Sequence, residues 1–181
     1  MRIKPNKMDY DFADMLYQDE VRKVRNLCYE NDIKIINVSS AGSLRRTKRK
    51  IGDIDYVINT DNNILLKELL IKNLDYYPVH NKAFYKKKIL NSNIDLFIAD
   101  KFDYYSMLFF LTGTEDWNIK IMQYLTKNTD IVYTPFNFYK KNKKKLTVLN
   151  FSSEEEIFNK IGLEYIAPKF RTPKNINFIE S

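Results

Sequence analysis

Glycine, cysteine and histidine are nearly missing from this 181-residue chain, which has 4, 1 and 1 of them. A lone Cys28 cannot close an intramolecular disulfide, so a disulfide scaffold is excluded. With His80 as the only histidine, a structural Cys/His zinc site lacks ligands, and a His-dependent triad would have to use a residue in no recognisable nucleophile motif. No apolar run approaches the roughly 18 residues of a membrane-spanning helix. The first residues, Met1 to Lys7, are polar and basic and lead into no apolar stretch, so no signal peptide is expected. The expected location is intracellular (cytoplasm, nucleoid, nucleus or viral particle) and not secreted. Scarcity makes each glycine, at 42, 52, 113 and 162, informative.

What is abundant is apolar and basic. Hydrophobic residues make up 44% and aromatic residues 14%, too much for a disordered chain. The length suits one compact domain or two small subdomains. Lys and Arg total 30 against 23 acidic residues, a net charge of +7 that points to an anionic partner.

Periodicity predicts a mixed α+β fold, a mixed or antiparallel sheet with helices on one face. An amphipathic helix is expected over 11–30, with Phe12, Met15, Leu16, Val24, Leu27 and Cys28 on its core stripe. Strands are expected over 33–39, 53–58, 75–79, 84–90 and 93–98. The helix expected over 64–72 is apolar nearly all round and reads as well buried. In the C-terminal half, helices are expected over 104–111 and 114–127, a β segment over 130–139, and a partner strand over 146–149. Ser153 and Glu156 form a capping box for a helix ending at Gly162, followed by an irregular tail.

The most informative segment runs from Gly42-Ser43 through the basic residues Arg45 to Lys50 to Gly52-Asp53-Ile54-Asp55. On a strand, residues two apart share a face, so Asp53 and Asp55 point the same way. Two such carboxylates repel each other, and a divalent cation removes the conflict. Asp95, on another expected strand, adds a third. If the two strands are neighbours, the set can hold two metals that stabilise the attacking and leaving oxygens of a displacement at phosphorus. Gly42-Ser43 lets backbone N–H groups approach a phosphate, and Arg46 can clamp its oxygens. Taken alone, Asp-x-Asp is more often a solvated strand edge. The Gly-Ser upstream and the Arg-rich loop between them favour the metal site.

These residues resemble the nucleotidyltransferase superfamily, and Gly42-Ser-Leu-Arg-Arg46 resembles its family X DNA polymerases. Two further blocks are similar to that family: Phe109-Phe-Leu-Thr-Gly113-Thr-Glu-Asp-Trp-Asn118, and Gly162 to Arg171. The resemblance spans about residues 35 to 171 and matches in plan the shortest, two-subdomain members. It implies a catalytic palm over 1–108 and a smaller α+β nucleotide-binding subdomain over 109–181, without an N-terminal lyase domain. It implies that Asp53, Asp55 and Asp95 bind two Mg²⁺ ions (Mn²⁺ being a substitute) and catalyse. Gly42, Ser43, Arg46 and Gly52 would hold the triphosphate of a dNTP. Phe110 and Gly113 would face its deoxyribose, and Asn118 its base. The implied reaction is template-directed DNA synthesis by a monomer at short gaps, as in DNA repair, with no membrane partner.

Three positions depart from the family pattern. Leu111 replaces the second aromatic of the sugar motif, Asn93 stands where larger members have Arg, and Met122 stands where they have another Arg. Lost polar contacts of this kind imply an error-tolerant enzyme. Lys140, Lys141, Lys143, Lys144 and Lys145 read as contacts to DNA phosphates, and Lys86 to Lys88 as the same or as solvated charge. Trp117 and Cys28 read as core, and His80 as a surface turn. Two other readings stay open. One is a template-independent transferase, or one acting on RNA or protein. The other is an inactive DNA-binding module, against which the three intact carboxylates speak.

Overall fold

Strands rich in Ile and Val organise the first half of the chain, and clustered aromatic residues organise the second. The computed structural model describes residues 7–79, 84–90, 92–143 and 145–178, with Phe84 described in its backbone only. His80 and Lys144 therefore lie outside the described residues. The chain divides into two units, Met1–Lys101 and Phe102–Ser181. The division falls ahead of the helix that the expected boundary at residue 108 would cut.

In the first unit the order is β1 (Met8–Asp9), α1 (Tyr10–Glu30), β2 (Ile35–Ser40), α2 (Gly42–Arg45), β3 (Lys50–Ile51), β4 (Ile54–Thr60), α3 (Asn63–Asn73), β5 (Tyr77–Val79), β6 (Phe84–Ile89) and β7 (Ser92–Ile98). Five strands form one mixed sheet in the order β2-β4-β7-β6-β5. The central pair β4/β7 is parallel and the other pairs are antiparallel. Alternation then sorts the side chains. Ile54, Tyr56, Ile58, Ile94, Leu96 and Ile98 join Val24 and Cys28 of α1 and Leu66 and Leu70 of α3 in one core. The opposite face of the same two strands carries Asp55 and Asp95. Helices α1 and α3 thus pack on the face opposite the acids.

Several expectations are corrected here. Phe12 and Met15 are exposed, because the buried face of α1 is set by Ala13, Tyr17, Val21, Val24 and Cys28. Glu20 lies on that face too, ion-paired with Lys87 at 3.1 Å. Helix α3 buries only Leu66 and Leu70, and Ile64 and Ile71 are exposed, since a helix packed on one side has one buried stripe however apolar the rest is. Asp53 precedes β4 in a bend rather than starting the strand. Lys86 and Lys87 are not free basic charges, for both are ion-paired with carboxylates of this unit. Cys28 is core as expected, and burial pushes its thiol up to about 11, out of reactive range.

The second unit comprises α4 (Tyr104–Thr112), α5 (Glu115–Asn128), β8 (Ile131–Thr134), β9 (Asn137–Asn142), β10 (Lys145–Leu149) and α6 (Glu154–Lys160). Its sheet is antiparallel in the order β10-β9-β8. The single β segment expected over 130–139 is thus a hairpin, broken at Pro135-Phe136, where Phe136 takes a positive φ of 75°. Short 3₁₀ turns at Pro168–Phe170 and Pro173–Asn175 structure the tail read as irregular.

The core of this unit is aromatic. Phe109 is its hub, 4.8 Å from Trp117, 5.2 Å from Phe158 and 5.6 Å from Phe138, centroid to centroid. Arg171 is fully buried beside it. Its Nε donates to Ile166 O at 2.9 Å, its Nη1 pairs with Glu154, and its guanidinium lies over the Phe158 ring at 5.0 Å. Ser153 caps α6 by accepting from Glu156 N at 3.2 Å, while the Glu156 carboxylate takes the N–H and hydroxyl of Ser152, each at 2.8 Å.

Candidate active site

The acidic face begins where β2 ends. Ala41 N donates to Asp55 O at 2.8 Å, tying the strand end to β4. Gly42 follows with φ +56° and opens the single turn α2. A Cβ at Gly42 would run into the Asp55 carboxylate, with Asp55 Cγ 2.9 Å away. The position therefore needs glycine twice, for its backbone conformation and for the space Asp55 fills. Buried Leu44 anchors the turn, and Arg46 N closes on Gly42 O at 3.2 Å. Burial lowers the pKa of Arg46, and the negative charge of Asp55 opposes the shift, so the guanidinium senses the acidic face. Lys48, Arg49 and Lys50 lie exposed beyond it, with Lys50 Nζ 2.8 Å from Asp9.

Asp55 and Asp95 are direct partners in the parallel β4/β7 register, so their side chains stand side by side on one face. Burial first, then the charges of Asp95 and Asp53, push Asp55 up to about 7. Asp95 is raised by burial and by Asp53, against a lowering by Lys86. The three carboxylates thus feel one another. Asp53 Oδ1 accepts from both the backbone N and the side-chain Nδ2 of Asn93, each at 3.1 Å. Lys86, paired with Asp95 in the β6/β7 register, brings its Nζ to 3.2 Å from Asp95 Oδ1. Among the described residues, no aligned hydrogen-bond donor reaches that buried oxygen.

Among the described residues, no group of three or more His, Cys, Asp or Glu side chains converges as a ready metal cage. Asn93 engages Asp53 and Lys86 engages Asp95, two of the three carboxylates. The donor set nonetheless fits a hard divalent cation: carboxylate oxygens only, one buried oxygen short of a hydrogen bond, and one acid whose ionisation is disfavoured until positive charge arrives. Gly52, expected near the triphosphate, faces open space, with no atom within 4 Å of a Cβ built there.

The residues expected at a nucleotide in the second unit have a different character. Gly113 ends α4 with ordinary negative φ. Its constraint is space, since a Cβ would strike the Trp117 ring and approach Asn118 Oδ1 to 2.9 Å. Trp117 is core, as read from the sequence. Phe110 is half-buried and meets Phe136 and Tyr133 edge-on at 5.3 and 6.0 Å. Asn118 is buried, with Nδ2 donating to Phe110 O at 2.8 Å and Oδ1 accepting from Tyr133 Oη at 2.8 Å. Lys140, Lys141, Lys143 and Lys145 are exposed around the β9–β10 turn, with Lys140 Nζ 3.6 Å from Asp130.

Three contacts around these positions were not read from the sequence. Asn93 shares the face of Asp95 by strand alternation, Lys86 meets it across a hairpin, and Tyr133 reaches Asn118 from the next strand. The first two were within reach of register arguments, and the third was not.

Comparison with known proteins gives two findings. The family model described as DNA polymerase beta thumb matches residues 107–172, inside the second unit. The DNA polymerase/3'-5' exonuclease PolX of Bacillus subtilis (strain 168) is 27% identical over 142 residues, covering 76% of this chain and 24% of that protein. The match is longer than either unit, so it takes in parts of both. The chain spans about a quarter of the length of this relative.

Proposed function

We propose that this chain, a relative of the family X DNA polymerases, is a DNA-directed DNA polymerase that adds dNMP units to a primer 3′-OH. The observation that carries the reading is the side-by-side register of Asp55 and Asp95, with Gly42 packed against the first. In the reaction, a bond forms between the primer 3′ oxygen and the α-phosphorus. The α–β phosphoanhydride breaks, pyrophosphate leaves, and the hydroxyl proton passes to solvent.

Two Mg²⁺ ions, or Mn²⁺ in their place, held by Asp53, Asp55 and Asp95, would lower the pKa of the 3′-OH and stabilise the attacking and leaving oxygens. The remaining roles belong to the chain itself. Ser43, with the Gly42 and Gly52 backbones, binds the triphosphate, and Arg46 binds its non-bridging oxygens, where its charge is strengthened by desolvated surroundings. Phe110 and Gly113 form the sugar contact that disfavours a 2′-OH. Asn118 offers the second N–H of its amide to the minor-groove edge of the base, since the first is spent on Phe110 O. The basic β9–β10 turn contacts DNA phosphates. Filling of short gaps in repair is the setting proposed for this templated addition. Met122 packs partly buried against the aromatic core and has no hydrogen to donate to a base, which supports error tolerance.

Extension of a primer across a one-nucleotide gap, with each dNTP alone against each template base, tests this. The expected result is copying of the template base, with frequent mismatches, and loss of extension in Asp95→Ala. Addition to blunt ends without regard to template would overturn the templated reading in favour of terminal transfer. DNA binding without any extension would favour the inactive module.

A further inference from the structure

Asn93 is an uncharged residue in the middle of a charged site. It follows Ser92 at the start of β7, two residues before Asp95, and so lies on the acidic face. The β4/β7 ladder begins one residue later, at Ile54 and Ile94. Asn93 N has therefore left the ladder, and it donates to the Asp53 carboxylate instead. Its side-chain Nδ2 donates to the same oxygen, also at 3.1 Å. Two donors from one residue converge on Asp53 Oδ1, and neither is spent on Oδ2.

This arrangement does for Asp53 what strand geometry does for Asp55 and Asp95. Those two are aimed by the sheet. Asp53 stands in a bend outside it and needs another constraint to be aimed at all. We infer that Asn93 is the positioning residue of Asp53: it fixes one carboxylate oxygen and leaves the other for a divalent cation shared with Asp55 and Asp95. The inference rests on the metal-dependent reading above. An amide suits the task because it donates without adding charge. A carboxylate in its place would add a fourth repulsion. Partners that orient a metal ligand through such bonds typically govern metal affinity by about 10–100-fold.

The test uses the full chain. Binding of Mn²⁺ alone is followed by electron paramagnetic resonance for wild type, Asn93→Ala, Asn93→Leu and Asp95→Asn. Primer extension against Mg²⁺ concentration and thermal unfolding without metal run in parallel. The leucine variant keeps the volume should the alanine variant fold poorly. The expected result is Mn²⁺ half-saturation raised about tenfold in both Asn93 variants. The Mg²⁺ requirement for extension should rise by a similar factor, and kcat should recover at saturating Mg²⁺. A purely structural role would lower the unfolding temperature without moving the metal dependence. Half-saturation within twofold of wild type in folded variants overturns the inference and leaves the polymerase reading standing. Wild-type Mn²⁺ binding that Asp95→Asn removes, without primer extension, overturns the polymerase reading while Asn93 is still judged by binding. No wild-type binding that depends on Asp95 overturns both.

Discussion

Both units bury charge, and they do so in opposite ways. In the second, Arg171 is matched: Glu154 balances it, Ile166 O accepts from it, and the Phe158 ring lies under it. In the first, Asp55 and Asp95 are mismatched, with acids beside acids and Lys86 and Arg46 set against them. A matched buried pair resists removal of either partner. A mismatched set is held by the rest of the fold and carries electrostatic stress that an incoming cation relieves. On the proposed function, the difference separates a charge kept for architecture from charges kept for chemistry, although both are well shielded from water.

Removing an acid should give the largest effect. Asp95→Ala is expected to cut primer extension by roughly a thousandfold or more, about 4 kcal/mol of transition-state stabilisation, while leaving the unfolding temperature unchanged or raised. A clear loss of stability would erase the contrast between the units. Next comes Arg171→Ala, which strands Glu154 in an aromatic core. It should cost about 3–5 kcal/mol, read by denaturant unfolding, and the conservative Arg171→Met/Glu154→Leu pair should recover much of it.

Smaller effects are expected at the surface of the second unit. Replacing Lys140, Lys141, Lys143 and Lys145 by Gln should weaken DNA binding about tenfold at low salt. It should also flatten the log–log salt dependence by roughly 0.9 per lysine that meets a phosphate. Lys140, already near Asp130, should contribute least. The last effect is a slope. Asp55 is raised to about 7 in the folded chain from an ordinary value of 3.8, so between these the folded state binds the extra proton. Its contribution to stability is then greatest at low pH and declines as pH rises from about 4 to about 7. Metal-free unfolding of wild type against Asp55→Asn should show this decline, and the variant should lack it.

Much of this contrast was legible before the fold was known. The Asp55/Asp95 pairing follows from two short apolar strands, each with one acid, because alternation leaves the acids a common face. The capping of α6 follows from Ser153 and Glu156. What was not legible depends on third parties. That Asp53 stands in a bend outside the strand, with Asn93 taking its oxygen, follows from no local pattern. Lys86 and Lys87, adjacent in a basic run, point to opposite sides of β6 and find Asp95 and Glu20. A run of charge does not reveal which partners register will bring. Asn118 is likewise pinned by Tyr133, a residue no local pattern connects to it.

Gly42 and Asp55 occupy one volume between them, and this ties their histories together. While Asp55 is needed, no side chain at residue 42 can be accommodated without evicting it. Once Asp55 is replaced, its carboxylate no longer blocks the space, and the positive φ and the Cβ of residue 55, 3.3 Å away, still restrain the position. In a lineage that had abandoned catalysis, residue 42 would be among the first to drift, toward Asn or Asp, which tolerate that backbone. A sequence from such a lineage would show the loss at residue 42 as well as at residue 55.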